Sequence, residues 1–185
     1  MPELIPRSPD NPDFARVIQL RQIRDLDAFD FDIAPSEGEA AALARLLGAR
    51  AVRKLRFAGR LGPLARGGWQ LDATLGATVV QTCVVTLEPV TTRVDQPVRR
   101  RFLPETEVRA AELVIAPEED DEIEPLVERI DLGLVATEAL ALALPAYPRK
   151  PGATLDASGA GATEDDEPKP FAVLESLRGK FDEGA

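Results

Sequence analysis

The sequence contains no histidine, one cysteine (Cys83), one tryptophan and one tyrosine. Without histidine the chain lacks the commonest metal ligand and the side chain best suited to proton transfer near neutrality, so most hydrolytic templates are excluded. A single cysteine forms no internal disulfide and cannot supply the CxxC pairs of a zinc site. Cys83 has no histidine to activate it and sits in an alternating apolar run, which predicts a buried packing thiol. No stretch approaches the roughly 18 apolar residues that would span a bilayer, and MPELIPRSPDNPDF lacks the apolar core of a signal peptide. A cytoplasmic protein without membrane association is expected.

Nucleotide and calcium motifs are missing as well. GRLGP and GGW lack the lysine and serine or threonine of a phosphate-binding loop, GAGAT follows no strand, and the acidic run lacks the glycine-centred spacing of a calcium loop. The reading is a non-enzyme with no metal, no cofactor and no small-molecule substrate.

What is present suits one domain with tails: 185 residues, 44% hydrophobic and 29% charged, interrupted by 16 prolines and 13 glycines. Lys and Arg total 22 against 32 Asp and Glu, a net charge of -10. The charge is uneven. Residues 1–109 hold 16 basic and 14 acidic side chains, whereas residues 110–185 hold 6 and 18.

Apolar periodicity predicts an α+β fold, an antiparallel β-sheet core with flanking helices. Residues 1–13 carry four prolines and read as a flexible arm, 14–148 as the domain, 149–169 as a flexible linker and 170–179 as a short helix. Ser36 and Glu39 fit a capping box ahead of a helix over 37–48, and Asp131 caps a helix over 131–143 that Pro145 stops. Period-two alternation predicts strands near 52–58, 68–76, 77–87 and 90–102, with Thr-Leu-Glu-Pro as the turn of a hairpin. The like charges and bounding prolines of Ala116–Pro125 predict an exposed loop.

Two charged surfaces are candidates for binding. Gly48–Gly68 holds Arg50, Arg53, Lys54, Arg56, Arg60 and Arg66 with no acidic residue, and Arg93, Arg99, Arg100 and Arg101 follow on later strands. Such a patch can pair with phosphates, or it can be a solvated face; exposed aromatics for base stacking are missing. The acidic run Glu118, Glu119, Asp120, Asp121 and Glu122 is either an exposed loop or a ligand-facing surface. Phe171, Leu174 and Leu177 give the last helix a small apolar stripe, which packs back on the domain or docks on a partner.

Cys83-Val84-Val85-Thr86-Leu87-Glu88-Pro89, followed by the strand through Phe102, resembles the cysteine-and-LEP segment of the bacterial YceD (DUF177) proteins. Ile130-Asp131-Leu132-Gly133, Leu144-Pro145 and Pro170-Phe171-Ala172-Val173-Leu174 resemble later motifs of that family in the same order. The resemblance implies a cytoplasmic, non-enzymatic factor supporting accumulation of large-subunit (23S) ribosomal RNA. It also implies structural roles for Cys83, Leu87, Glu88, Pro89, Asp131, Leu132, Gly133 and Pro145. Many relatives carry a second cysteine where this chain has Thr86, so any metal or redox role of that pair is not expected here. Two modes of action stay open: an adaptor whose acidic half binds a basic ribosomal protein or assembly factor, and direct contact of the basic stretches with ribosomal RNA.

Overall fold

The computed structural model describes residues 13–64, 67–104 and 122–154. The alternation from Ala51 onward produces two long strands, β3 (Ala51–Pro63) and β4 (Trp69–Thr82), which pair antiparallel. Trp69, Leu71, Leu75, Ala77 and Val79 are buried on one face of β4, and Val52, Leu55, Phe57 and Leu61 on the same face of β3. β5 (Pro89–Leu103) pairs antiparallel with β4 along its whole length, from Thr82 opposite Pro89 to Trp69 opposite Phe102. The expected hairpin is therefore formed.

The runs 68–76 and 77–87, separate strands by pattern, are one continuous strand that ends at Thr82. Gly76 does not break it. A Cβ there would lie 2.9 Å from an Arg93 nitrogen and 3.1 Å from Asp95 Oδ1, so the bare glycine makes room for an ion pair lying across the strand.

β2 (Phe29–Ile33) adds antiparallel to the outer side of β3, and β6 (Glu122–Pro125) adds parallel to β5, giving the order β2-β3-β4-β5-β6. The expected antiparallel core is present in β2-β3-β4-β5, and the added parallel strand makes the sheet mixed. One expectation is corrected. The end of the acidic run is that strand and not a loop, since Arg100 of β5 ion-pairs with Glu124 and removes the charge penalty on laying it against the sheet edge.

Helices and a small second sheet cover the inner face. α2 (Glu37–Leu46) starts on the expected capping box: Ser36 Oγ accepts from Glu39 N at 3.4 Å, and Glu39 Oε2 accepts from Ser36 N at 2.7 Å. β1 (Val17–Gln19) pairs antiparallel with β7 (Arg129–Asp131), and a single turn, α1 (Leu20–Ile23), follows β1. α3 (Leu132–Ala143) begins where Asp131 Oδ1 accepts from Gly133 N and Leu134 N. Leu132, Val135, Ala136, Ala139 and Leu140 of α3 join Phe14, Ile18, Ile23 and Leu43 over the sheet core. Each such large side chain fully buried contributes about 1.5–3 kcal/mol.

Arg16 ties these layers together. Its guanidinium donates to both Glu39 carboxylate oxygens at 2.8 and 2.9 Å, its amide donates to Asp131 Oδ1 at 2.8 Å, and it lies 4.7 Å over the Phe14 ring. The Arg16 guanidinium, followed by the Ser36 amide and hydroxyl, holds the Glu39 carboxyl down to about 2 against the opposing effect of burial. Because this pKa lies below the unfolded value of 4.5, the contribution is complete above that value and is lost as pH falls towards 2. Glu39→Gln is expected to be less stable than the parent protein at pH 7. In urea titrations at stepped pH the gap should close between about 4.5 and 2, and a constant gap through that window would contradict the assignment.

Candidate nucleic-acid and protein-docking interfaces

The face of the sheet away from the helices carries most of the predicted basic residues, and strand register decides their neighbours. Asp30 of β2 stands opposite Arg60 of β3, Arg60 opposite Asp72 of β4, and Asp72 opposite Arg99 of β5. The result is a row of alternating charge across four strands. Arg60 Nε donates to Asp30 at 2.6 Å, and Arg99 Nε to Asp72 at 2.9 Å. Arg56 Nε donates to Asp32 Oδ1 at 2.8 Å, and Arg93 Nε to Asp95 Oδ2 at 2.6 Å. Hydrogen bonds from these guanidiniums hold Asp30, Asp32 and Asp95 below the usual carboxylate range. Exposed pairs of this kind, screened by solvent, add little to stability. Their larger effect is to cancel the field of the arginines, so a phosphate would have to displace a carboxylate already in place.

Arg100 is not on this face. It shares the inward parity of Val98 and Phe102, is 4% exposed, and ion-pairs with Glu124 and, at 2.7 Å, with Glu138 of α3. Its candidacy for RNA contact is withdrawn, because a buried guanidinium bracketed by two carboxylates cannot reach a phosphate. That parity is legible in Val98-Arg-Arg-Arg-Phe102 and was the signal available. Arg101 is half-buried on β5 opposite Gln70. Arg50 donates to Thr82 Oγ1 at 2.9 Å and to the Leu87 carbonyl at 2.7 Å, closing the β4–β5 turn. Arg53 and Lys54 remain exposed at a β-bulge where Lys54 has φ 51°.

The acidic residues Glu118–Asp121, with Phe171, Leu174 and Leu177, lie outside the described residues. Glu122 opens β6, with its backbone opposite Arg100.

The motif residues form two clamps. At the β4–β5 turn Cys83 is buried. Its amide donates to the Glu88 carbonyl at 2.8 Å, and its sulfur accepts from the Thr86 and Lys150 amides at 3.4 Å each. Hydrogen bonds from the Thr86 side chain and amide, then from the Lys150 amide, hold the thiol down to about 6 although desolvation opposes it. Cys83 is thus a buried acceptor that fixes a turn as well as a packing group. Leu87 takes the left-handed φ of 60°, Glu88 pairs with Lys150 at 2.8 Å, and Pro89 begins β5. The Pro145 carbonyl accepts from Gln81 Nε2 at 3.2 Å.

The second clamp is Asp131-Leu132-Gly133. Asp131 caps α3 and also receives the Arg16 amide, while Leu132 N donates to the Arg16 carbonyl at 3.0 Å. Residues 71–178, which contain both clamps, match the model of the family described as Large ribosomal RNA subunit accumulation protein YceD. That span is more than half of the chain. The chain belongs to the YceD family. Comparison with curated proteins and with solved structures gave no match. The family's name ties YceD proteins to accumulation of large-subunit ribosomal RNA and names no reaction. Among the described residues no group of three or more His, Cys, Asp or Glu side chains could hold a metal ion. Among the same residues no helix is long and apolar enough to cross a membrane.

Proposed function

We propose that this YceD protein supports large-subunit ribosomal RNA accumulation as a non-enzymatic adaptor in ribosome assembly, in the cytoplasm, and that its acidic segments bind a basic ribosomal protein or assembly factor. The observation that carries this reading is the division of charge. The described residues hold 16 basic and 15 acidic side chains, close to neutral, which leaves 6 basic and 17 acidic to the rest of the chain. Uncompensated acid of this kind favours a basic partner and speeds its capture.

Pull-down from lysate with three proteins tests it. Intact protein should retain basic ribosomal proteins or assembly factors. Truncation before Pro170, and replacement of Glu118, Glu119, Asp120, Asp121 and Glu122 by serine, should each reduce recovery severalfold. Equal recovery by all three would overturn the adaptor reading.

Direct RNA contact has one supporting observation, the exposed Arg53 and Lys54 at the β3 bulge, for which the described residues supply no ion pair. On that reading an Arg53→Ala, Lys54→Ala variant would weaken a salt-sensitive mobility shift of large-subunit RNA, and an unchanged shift would exclude the site.

A further inference from the structure

An open groove of about 1070 Å³ lies between α1, the β3–β4 turn and the segment leading into β7. Backbone hydrogen bonds tie down described residues on each side of it: Leu64 N to the Gly68 carbonyl at 2.7 Å, Leu20 N to the Glu128 carbonyl at 3.0 Å, and Leu126 N to the Leu103 carbonyl at 2.7 Å. Gly68 packs so closely that a Cβ would lie 2.9 Å from Leu103 Cδ2 and 3.0 Å from the Phe102 carbonyl oxygen. The groove is therefore preformed, which lowers the ordering cost of binding.

Its lining has two chemistries. Leu20, Leu64, Leu126 and Trp69, which are buried or half-buried, give an apolar floor, while the exposed Arg21, Arg24 and Arg129 form the rim with Glu128, the one carboxylate among the described lining residues. The three arginines are exposed, and among the described residues no ion pair reaches them. They differ in this from Arg56, Arg60, Arg93 and Arg99, whose carboxylates are supplied by the sheet itself.

We infer that this groove binds an extended acidic segment of another protein, whose carboxylates meet Arg21, Arg24 and Arg129 and whose apolar side chain enters the floor. Three features select that occupant. The excess of two positive charges at the rim calls for an anionic partner. The volume of about 1070 Å³ slightly exceeds the roughly 300–1,000 Å³ typical of small-molecule sites, and the groove is open, which suits a strand-like segment. Trp69 is 7% exposed, so it offers no ring face to a base, and the rest of the floor is aliphatic; this disfavours single-stranded nucleic acid, which needs stacking platforms. The inference stands without the adaptor reading and extends it, giving the protein a basic face for an acidic partner besides its acidic segments.

Trp69 is the only tryptophan and lines the site, so its emission reports occupancy in the full-length protein. A synthetic 12-residue peptide alternating glutamate and leucine should shift that emission saturably at physiological salt, where the Debye length of about 8 Å limits repulsion from distant acidic segments. The peptide's affinity should fall at least tenfold in an Arg21→Ser, Arg24→Ser, Arg129→Ser variant whose circular dichroism matches the parent. A glutamate and serine peptide of equal length should bind at least tenfold more weakly than the leucine peptide. The inference is overturned if a 12-nucleotide polyuridine saturates the signal and the leucine peptide does not, if both peptides bind equally, or if the triple variant binds like the parent. None of these outcomes bears on capture of basic proteins, so this test and the pull-down fail independently.

Discussion

Gly133→Ala is expected to destabilise the protein by about 4 kcal/mol, above the usual 1–3 kcal/mol of overpacking and among the larger single-residue effects. A Cβ built at Gly133 would lie 1.8 Å from the Phe14 carbonyl oxygen, 2.9 Å from the Phe14 carbonyl carbon and 3.2 Å from Arg16 N. All of these are backbone atoms, so no rotamer change relieves the clash. The approach is locked from both sides, because Arg16 N donates to Asp131 and Leu132 N donates back to the Arg16 carbonyl. Gly38→Ala is the control: nothing lies within 4 Å of that Cβ, and the site is inside α2, where alanine is favoured over glycine by about 0.5–1 kcal/mol. The same substitution should therefore have opposite signs at the two positions. Urea midpoints measure both, and a Gly133→Ala protein as stable as the parent would show that α3 does not sit on the Phe14 backbone.

Arg100→Ala should cost about 2–3 kcal/mol, somewhat below the 3–5 kcal/mol typical of breaking a fully buried pair. The discount arises because Glu124 and Glu138, side chains 39% and 45% exposed, can recover water when their partner is gone. The loss should fall unevenly. β6 is a four-residue edge strand joined to β5 by parallel pairing, and the Arg100–Glu124 contact crosses that junction. Amide exchange at Ile123, Glu124 and Leu126 should accelerate more than at Leu75 or Val79 in the middle of β4. Replacing Glu124 and Glu138 together with Arg100 by apolar residues should recover much of the loss, since the cost lies in stranded charge. Uniform exchange across the sheet, or no recovery, would show that Arg100 acts through packing alone.

Local chemistry in the sequence determined a good part of the protein. Ser36 with Glu39, and Asp131 ahead of Leu132, start helices because a cap needs only its own next three amides. Trp69–Thr82 and Pro89–Leu103 are strands because their apolar residues repeat every second position, and the short Thr-Leu-Glu-Pro segment between the runs forces them antiparallel. The cysteine-and-LEP and Asp-Leu-Gly motifs pointed to the YceD family for the same reason, each being contiguous in the chain. Alternation also held the inward direction of Arg100 and the short strand Phe29-Asp-Phe-Asp-Ile33, both legible by parity although neither was anticipated.

What only tertiary structure decided is pairing between distant segments. Period two says which face a side chain takes but not which strand lies beside it. The acid-free stretch from Gly48 to Gly68 therefore reads as a basic patch along the chain. In the fold it meets Asp30, Asp32 and Asp72 from neighbouring strands, and register turns excess charge into an alternating row. The parallel pairing of β6 with β5 brings Arg100 to Glu124, which lies 24 residues away in the sequence. The arginine-rimmed groove is drawn from α1, the β3–β4 turn and the approach to β7, which no sequence window contains together. Backbone propensity and side-chain parity act within a few residues, whereas the electrostatic character of a surface is set by whichever residues the hydrogen-bond register brings opposite one another.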